Sequence, residues 1–455
     1  MSLGTLGVGL RVLRAEGVRA ARDRALDRLE EARRRRSFRP ARNDWTAAVP
    51  VPVLALSAYP PEPRFGGVQV QWQARLASEE ILGRIARLYP LLESGGASGY
   101  RLEVAIREER RSLFRSAPPL PPRTLRDPAF ERAVAWAAER VGARLLHVEG
   151  AAGLPPESLL TLARENGLGL LLSLHDFALF CPRPHLLEQP VQRFCDYCRD
   201  LPRCAACLGA TPELQRRWRT AGAALLAAAA GVVFSSPFLE RAHADLFGPL
   251  PGRGWVVSPA LPTCGPLPGE PPGGPIRHLA LVGGVQPHKG AEIFLEVLAR
   301  LAPAGGTDLA WSAYGGGDPA LLARLRRAGV RLRGYYRPGA LPALLRRDRI
   351  DLALLPSIVP ESFSLVLSEC RAAGVPVLAF DLGAVGERLR EGGGGLTVPL
   401  AEGAAGLAAL AAAVVAGERT IPPWRGPAEP QPRQAAARWR EIYRELAATA
   451  APPPR

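Results

Sequence analysis

The sequence predicts an α/β protein built from two doubly wound parallel sheets. Three observations predict it: short apolar runs alternate with amphipathic stretches, a Pro- and Gly-rich break interrupts the alternation, and 455 residues exceed what one core holds at roughly 150 residues per domain.

Residues 1–48 read as a basic helical leader that ends in Arg33-Arg34-Arg35-Arg36, with Leu6, Leu10, Leu13, Leu26 and Leu29 giving partial apolar periodicity. Two readings stay open for it: a face resting on acidic lipid, or a solvated helix packed on the first domain. Residues 49–260 follow as the first Rossmann-like domain. Its buried strands are Val51–Ser57, Arg144–Val148, Gly169–Leu174, Gly231–Ser235 and Trp255–Ser258, with helical stretches between them. A Cys-rich excursion, 181–209, interrupts this domain. Residues 261–276 are the linker, rich in Pro and Gly. The second domain, 277–425, has strands at Arg277–Val282, Asp308–Tyr314, Val330–Arg333, Asp351–Leu355, Val375–Phe380 and Leu396–Val398. A helix near Gln431–Ala447 and a Pro-rich end complete the chain in 426–455. Two such sheets place a ligand cleft at the carboxyl ends of their strands.

Composition narrows the function. With 47% hydrophobic and 22% charged residues the chain is neither disordered nor fibrous. A net charge of +15 suits nucleic acid, but equally anionic donors at an anionic membrane surface. No apolar run reaches bilayer length; the longest candidate, Ala221–Val233, reads as a buried helix entering a strand. The N-terminus shows no cleavable signal, so a cytoplasmic address is expected, and the seven Cys then read as thiols or metal ligands rather than disulfides.

The densest chemistry lies between Asp351 and Glu369. A buried strand enters a short loop, then Glu361, then a helix expected to include Phe363, Ser364 and Leu365 in its first turn. Free amides at a helix start, backed by its dipole, make an anion site. Glu361 stands at its mouth and Glu369 about two turns on. In a chain whose other basic positions are all Arg, the single Lys, Lys289, sits in a Gly-flanked loop after a strand. A compact ammonium there suits a geometry that a planar guanidinium would not.

Pro360-Glu361-Ser362-Phe363 followed by Glu369 resembles the paired-glutamate motif of glycosyltransferase family 4, whose members have the GT-B fold. The loop Val282-Gly283-Gly284-Val285-Gln286-Pro287-His288-Lys289-Gly290 resembles that family's phosphate loop, and Tyr314-Gly315-Gly316-Gly317 its Gly-rich turn. The resemblance spans roughly residues 51–420 and implies two Rossmann-like domains facing across a cleft, with retaining transfer from a nucleoside-diphosphate sugar to a hydroxyl acceptor, a glycan or lipid-linked one in polysaccharide biosynthesis. It assigns Glu369 to the ribose hydroxyls, Glu361 to the transferred sugar, and Lys289 to the diphosphate. Gly66 and Gly67 match its N-terminal glycine loop, and His175, after the strand Gly169–Leu174, matches its catalytic-centre His. One departure stands out: Gly284 replaces an Arg that commonly accompanies the Lys, which leaves the diphosphate one cation short unless another Arg reaches it. With Lys289 and the amides of Phe363, Ser364 and Leu365 supplying fixed charge, no divalent metal is expected to be needed for catalysis. Peripheral contact with an anionic membrane is compatible with the leader, and nucleic acid is not expected as a partner, because the basic residues are dispersed among acidic ones.

Rival readings are a sugar-nucleotide hydrolase or epimerase of the same fold and a basic, zinc-containing nucleic-acid binder. Finally, Cys195, Cys198, Cys204 and Cys207 form two CxxC pairs. They predict a structural zinc site, with Cys181 able to replace one member and with an iron–sulfur cluster or unliganded thiols as alternatives.

Overall fold

The computed structural model describes residues 12–37, 39–40, 52–59, 67–69, 72, 85–93, 96–106, 109–115, 123–165, 167–250, 252–261, 274–301, 309–425, 430 and 432–449. Most of the expected linker, and Gly66, lie outside them. The chain divides into two compact units: one comprises Met1–Arg33, Val191–Phe194 and Leu261–Glu429, the other Arg34–Pro190, Cys195–Ala260 and Pro430–Arg455.

The unit around Leu261–Glu429 contains a sheet whose strands lie in the spatial order Arg331–Gly334, Ala310–Tyr314, His278–Val282, Leu352–Leu355, Val377–Phe380, Gly395–Val398, all parallel. Counted along the chain this is the order 3-2-1-4-5-6 of a dinucleotide-binding sheet, whose topological switch falls between His278–Val282 and Leu352–Leu355. Because side chains alternate along a strand, Leu279 and Leu281 enter a core with Phe294, Val297 and Leu407. Ala280 and Val282 enter the opposite core with Tyr314, Leu345 and Leu367. Burial on both faces is why these strands read as unbroken apolar runs.

The other unit holds a nine-stranded sheet. Its parallel part runs Ile85–Glu93, Val53–Leu56, Leu145–Glu149, Gly169–Leu174, Gly231–Phe234, Arg253–Val256. Beyond Ile85–Glu93 the sheet continues with the antiparallel strands Gly96–Ile106 and Glu109–Arg115, where the sequence reading expected only helix before Arg144, and ends on the short strand Arg39–Pro40, parallel to Glu109–Arg115. The helix Pro432–Thr449 packs on this unit: Trp439, Ile442 and Leu446 join Val53, Ala55, Leu171 and Val233 in one core.

Several helices start where a capping side chain precedes a proline. Asp127, Thr211, Ser236 and Asp318 each accept a first-turn amide just before Pro128, Pro212, Pro237 and Pro319.

Leader residues up to Arg33 belong to the unit around Leu261–Glu429, whereas Arg39–Pro40 pair with Glu109–Arg115 of the nine-stranded sheet. Ala20 is fully buried, and an added Cβ at Gly334 (φ 66°) would stand 2.7 Å from the Ala20 Cβ. Glu16 accepts the Tyr335 amide at 2.8 Å and Arg24 at 3.1 Å, while Arg326 donates to the Ala15 carbonyl at 2.7 Å. The helical leader around Glu16 and Ala20 thus lies against the edge strand Arg331–Gly334 and the Gly315–Gly317 turn of the unit around Leu261–Glu429. No helix among the described residues is long and apolar enough to cross a membrane.

Candidate functional site

At the switch point two loops meet. After His278–Val282 the backbone passes through Gly283 (φ 114°) and Gly284, makes a tight turn at Pro287–Lys289, and leaves through Gly290 at φ 76°. A Cβ at Gly290 would lie 1.8 Å from the Pro356 carbonyl oxygen, so only glycine lets the Lys289 loop rest on the loop following Leu352–Leu355. The two loops are stitched further: the Ile358 amide (3.0 Å) and the Ser357 hydroxyl (3.1 Å) both donate to the His288 carbonyl. Gly315 is equally constrained, since a Cβ there would meet the Gly283 carbonyl oxygen at 1.9 Å. The Gly-rich turn and the Lys loop therefore interlock backbone to backbone.

This packing brings Lys289 and Glu361 together, with Nζ 3.0 Å from Oε1. Burial acts against ionisation of Glu361, but Lys289, the Ser364 hydroxyl and His288 together outweigh it and hold the carboxyl below its usual range. Ser364 itself occupies the left-handed region at φ 70° and caps the helix Leu365–Ala373, its hydroxyl accepting the Leu367 amide at 3.4 Å. The helix thus begins later than the sequence suggested, with Phe363 and Ser364 outside it. Its first amides, at Leu365 and Val366, belong to the turn that an α-helix leaves without intrahelical partners.

Glu369 sits in the same helix, 7% exposed. Burial pushes its carboxyl up to about 7, against a hydrogen bond from the Gly339 amide. Tyr336 is raised by burial and by that same carboxylate. The turn after the strand Arg331–Gly334 therefore faces Glu369, which the sequence reading did not foresee. It also missed Arg388, whose guanidinium lies 4.1 Å from the Phe363 ring centroid and donates to the carbonyls of Phe363 (2.8 Å) and Ser364 (3.1 Å) and to the Ser368 hydroxyl (2.8 Å). Arg388 braces the segment that carries the helix start. One Arg among so many offered no signal for this.

In the other unit His175 follows Gly169–Leu174 with its side chain 10% exposed, and its Nε2 stands 3.9 Å from Glu149 at the end of the adjacent strand. Glu149 in turn lies 3.4 Å from His147. A cavity of about 30 Å³ is lined by Glu149, His175, Val68, Trp72, Ser235 and Trp439 among others. Gly67 opens the helical turn that supplies Val68 to it. Burial pushes the neighbouring Asp176 carboxyl up to about 6, against a hydrogen bond from the Ala178 amide. Glu149 was not singled out in the sequence, because only strand order brings it beside His175.

Of the predicted cysteines, Cys195, Cys198, Cys204, Cys207 and Cys181 all line one pocket of the unit that carries His175.

Residues 276–416 match the family described as Glycosyl transferases group 1. Among curated proteins the chain is similar to the D-inositol 3-phosphate glycosyltransferases of Rhodococcus erythropolis, at 30% identity over 178 residues, and of Nocardia farcinica, at 34% over 140 residues. These matches cover 35% and 29% of this chain and only 40% and 30% of the relatives' own length. Among solved structures it is similar to sucrose-phosphate synthase from Thermosynechococcus elongatus, with a TM-score of 0.56, 17% identity, and coverage of 88% of this chain and 94% of that one. It is also similar to Anabaena HepE in complex with UDP and glucose, with a TM-score of 0.50, 16% identity, and coverage of 88% and 99%. The pair of Rossmann-like units is the GT-B fold.

Proposed function

We propose that the chain is a retaining glycosyltransferase that moves a sugar from a nucleoside-diphosphate donor to a hydroxyl of a glycan or glycolipid acceptor in polysaccharide biosynthesis. The observation that carries this reading is the set formed by Lys289, Glu361, the Leu365 helix start and Glu369 at the switch point of a 3-2-1-4-5-6 sheet. A cation, a helix start and two carboxylates gathered at the ends of two adjacent strands suit a diphosphate flanked by two hydroxyl-bearing rings. The family match over residues 276–416 supports it independently.

In this reading the ammonium of Lys289 keeps one N–H on Glu361 and turns others to the leaving phosphate. Glu369 accepts from the ribose hydroxyls and Glu361 from hydroxyls of the transferred sugar. The bond from anomeric carbon to phosphate oxygen breaks, the acceptor oxygen bonds that carbon on the same face, and the acceptor proton passes to the departing phosphate. Fixed charges and amides stabilise that phosphate without a divalent metal. His175, paired with Glu149, is assigned to the acceptor side. Seven cysteines and the basic leader suit work in the cytoplasm against an anionic membrane face.

HepE binds UDP and glucose, so UDP is the first nucleotide to try. The test is a thermal-shift and calorimetric screen of nucleoside diphosphates and their sugars on the wild-type chain and Glu369→Ala. Stabilisation of the wild type by one nucleotide series, weakened by roughly 1–3 kcal/mol in the variant, is expected. No response to any nucleotide would refute the donor site.

A further inference from the structure

We propose that Cys181, Cys195, Cys204 and Cys207 bind one structural zinc ion, and that Cys198, although half of a CxxC pair, stays outside the ligand set. The inference stands apart from the glycosyltransferase reading. All five thiols line one pocket, and none of them is in a disulfide.

The hydrogen bonds divide the five. Thiolates bound to zinc are stabilised by N–H donors to sulfur, and four of these sulfurs have such a donor. Cys181 receives the Arg183 amide. Cys195 receives the amides of Tyr197 and Cys198. Cys207 receives the Gln189 amide at 3.3 Å, and Cys204 the Arg219 guanidinium at 3.3 Å. Cys198 differs in having no N–H donor to its sulfur among the described residues: its thiol touches Cys204 and donates to the Asp200 carbonyl at 3.8 Å, while its backbone serves the others, the amide toward Cys195 and the carbonyl accepting from Arg219 at 2.7 Å and from the Cys204 thiol at 3.4 Å. Cys181 also lies within electrostatic reach of Cys195, Cys204 and Cys207, the other three members proposed.

The backbone is shaped for this. Asp196 and Tyr197 both adopt φ 50°, a conformation costly for non-glycine residues, and the resulting knuckle is what aims two amides at one sulfur. Cys204 and Cys207 stand three apart on the helix Leu201–Leu208, whose start is capped by Asp200, so both present to one side. The bidentate pair of Arg203 with Glu188, at 2.6 and 2.7 Å, closes the wall. Among the described residues no three His, Cys, Asp or Glu side chains already stand at metal-holding distance, so binding draws the sulfurs inward as they lose their protons. Tyr197 packs edge-on against Phe177, with ring centroids 5.3 Å apart, two residues from His175. Zinc in the knuckle would therefore hold the His175 segment in place.

The experiment uses the full chain without a His tag, purified under reducing, chelator-free conditions. Elemental analysis should find about one zinc per chain in the wild type and in Cys198→Ser, and less than a fifth of that in Cys181→Ser. Cobalt added after zinc removal should give the visible absorption of a tetrahedral thiolate site in the wild type and in Cys198→Ser. Should Cys181→Ser fail to fold, the Cys198→Ser result still decides the ligand set. Absence of both zinc and cobalt uptake in the wild type would overturn the site, iron in place of zinc would overturn the metal, and loss of zinc from Cys198→Ser would overturn the exclusion of Cys198.

Discussion

Nucleotide affinity should rise by about tenfold between pH 6 and pH 8, and Glu369 is the reason. Its carboxyl in the free protein titrates at about 7, because burial disfavours the charge and the Gly339 amide only partly offsets this. Ribose hydroxyls that donate to the carboxylate favour the ionised form, so binding lowers the value. If only the ionised form binds well, the apparent constant scales as one plus ten to the power of pKa minus pH. That factor is about 11 at pH 6 and about 1.1 at pH 8, a ratio near ten, or ~1.4 kcal/mol. About half a proton is released per binding event at pH 7. The assay is calorimetry with UDP across this range in two buffers of different ionisation enthalpy. Because the nucleotide's own terminal phosphate titrates near pH ~6, Glu369→Gln supplies the reference. Equal pH slopes for wild type and Glu369→Gln would refute the reasoning. The stability effect has the opposite sign from that of an ion-paired carboxylate. A folded-state value raised above 4.5 favours folding below 4.5 and weakens it as pH rises through about 7, so Glu369→Gln should raise the melting temperature more at pH 8 than at pH 5.

Lys289→Ala should lower turnover by roughly a hundredfold or more through lost stabilisation of the leaving phosphate, and Lys289→Arg should restore little; steady-state kinetics with the identified donor check both, and full activity in the Arg variant would contradict the fit argued for an ammonium. Gly290→Ala should cost ~2 kcal/mol or more in denaturant unfolding, since the new Cβ meets the Pro356 carbonyl at a left-handed φ, whereas Gly329→Ala, equally left-handed but open to space, should cost less. His175→Ala should impair transfer while leaving the melting temperature within a few degrees of wild type, and a near-normal rate would return His175 to a purely structural part.

What the sequence revealed follows from where each element is buried. Strands such as His278–Val282 and Leu352–Leu355 were legible because burial on both faces leaves them uninterrupted by charge. The antiparallel strands Gly96–Ile106 and Glu109–Arg115 were not, because Arg101, Glu103, Arg110 and Arg111 break any apolar run and local composition resembles a charged helix. The leader's docking hinges on the buried carboxylate Glu16, indistinguishable in sequence from the leader's other acidic residues. At the site, Lys289 and Glu361 each stood out by motif, but their ion pair depends on Gly290 lying against Pro356, a contact between loops far apart in the chain. Glu149, Gly339 and Arg388 were invisible for the same reason. Each acts through a neighbour that only strand order supplies.

The most direct test of the central claim is product analysis. The purified chain would be incubated with the nucleotide sugar that stabilises it and a panel of glycan and lipid-linked acceptors, and the products resolved by mass spectrometry and NMR. The account predicts a glycosidic product that keeps the donor's anomeric configuration, formed with one nucleoside diphosphate per transfer and reduced in Lys289→Ala. Free sugar or an epimerised donor at the wild-type rate, with no acceptor product, would contradict it.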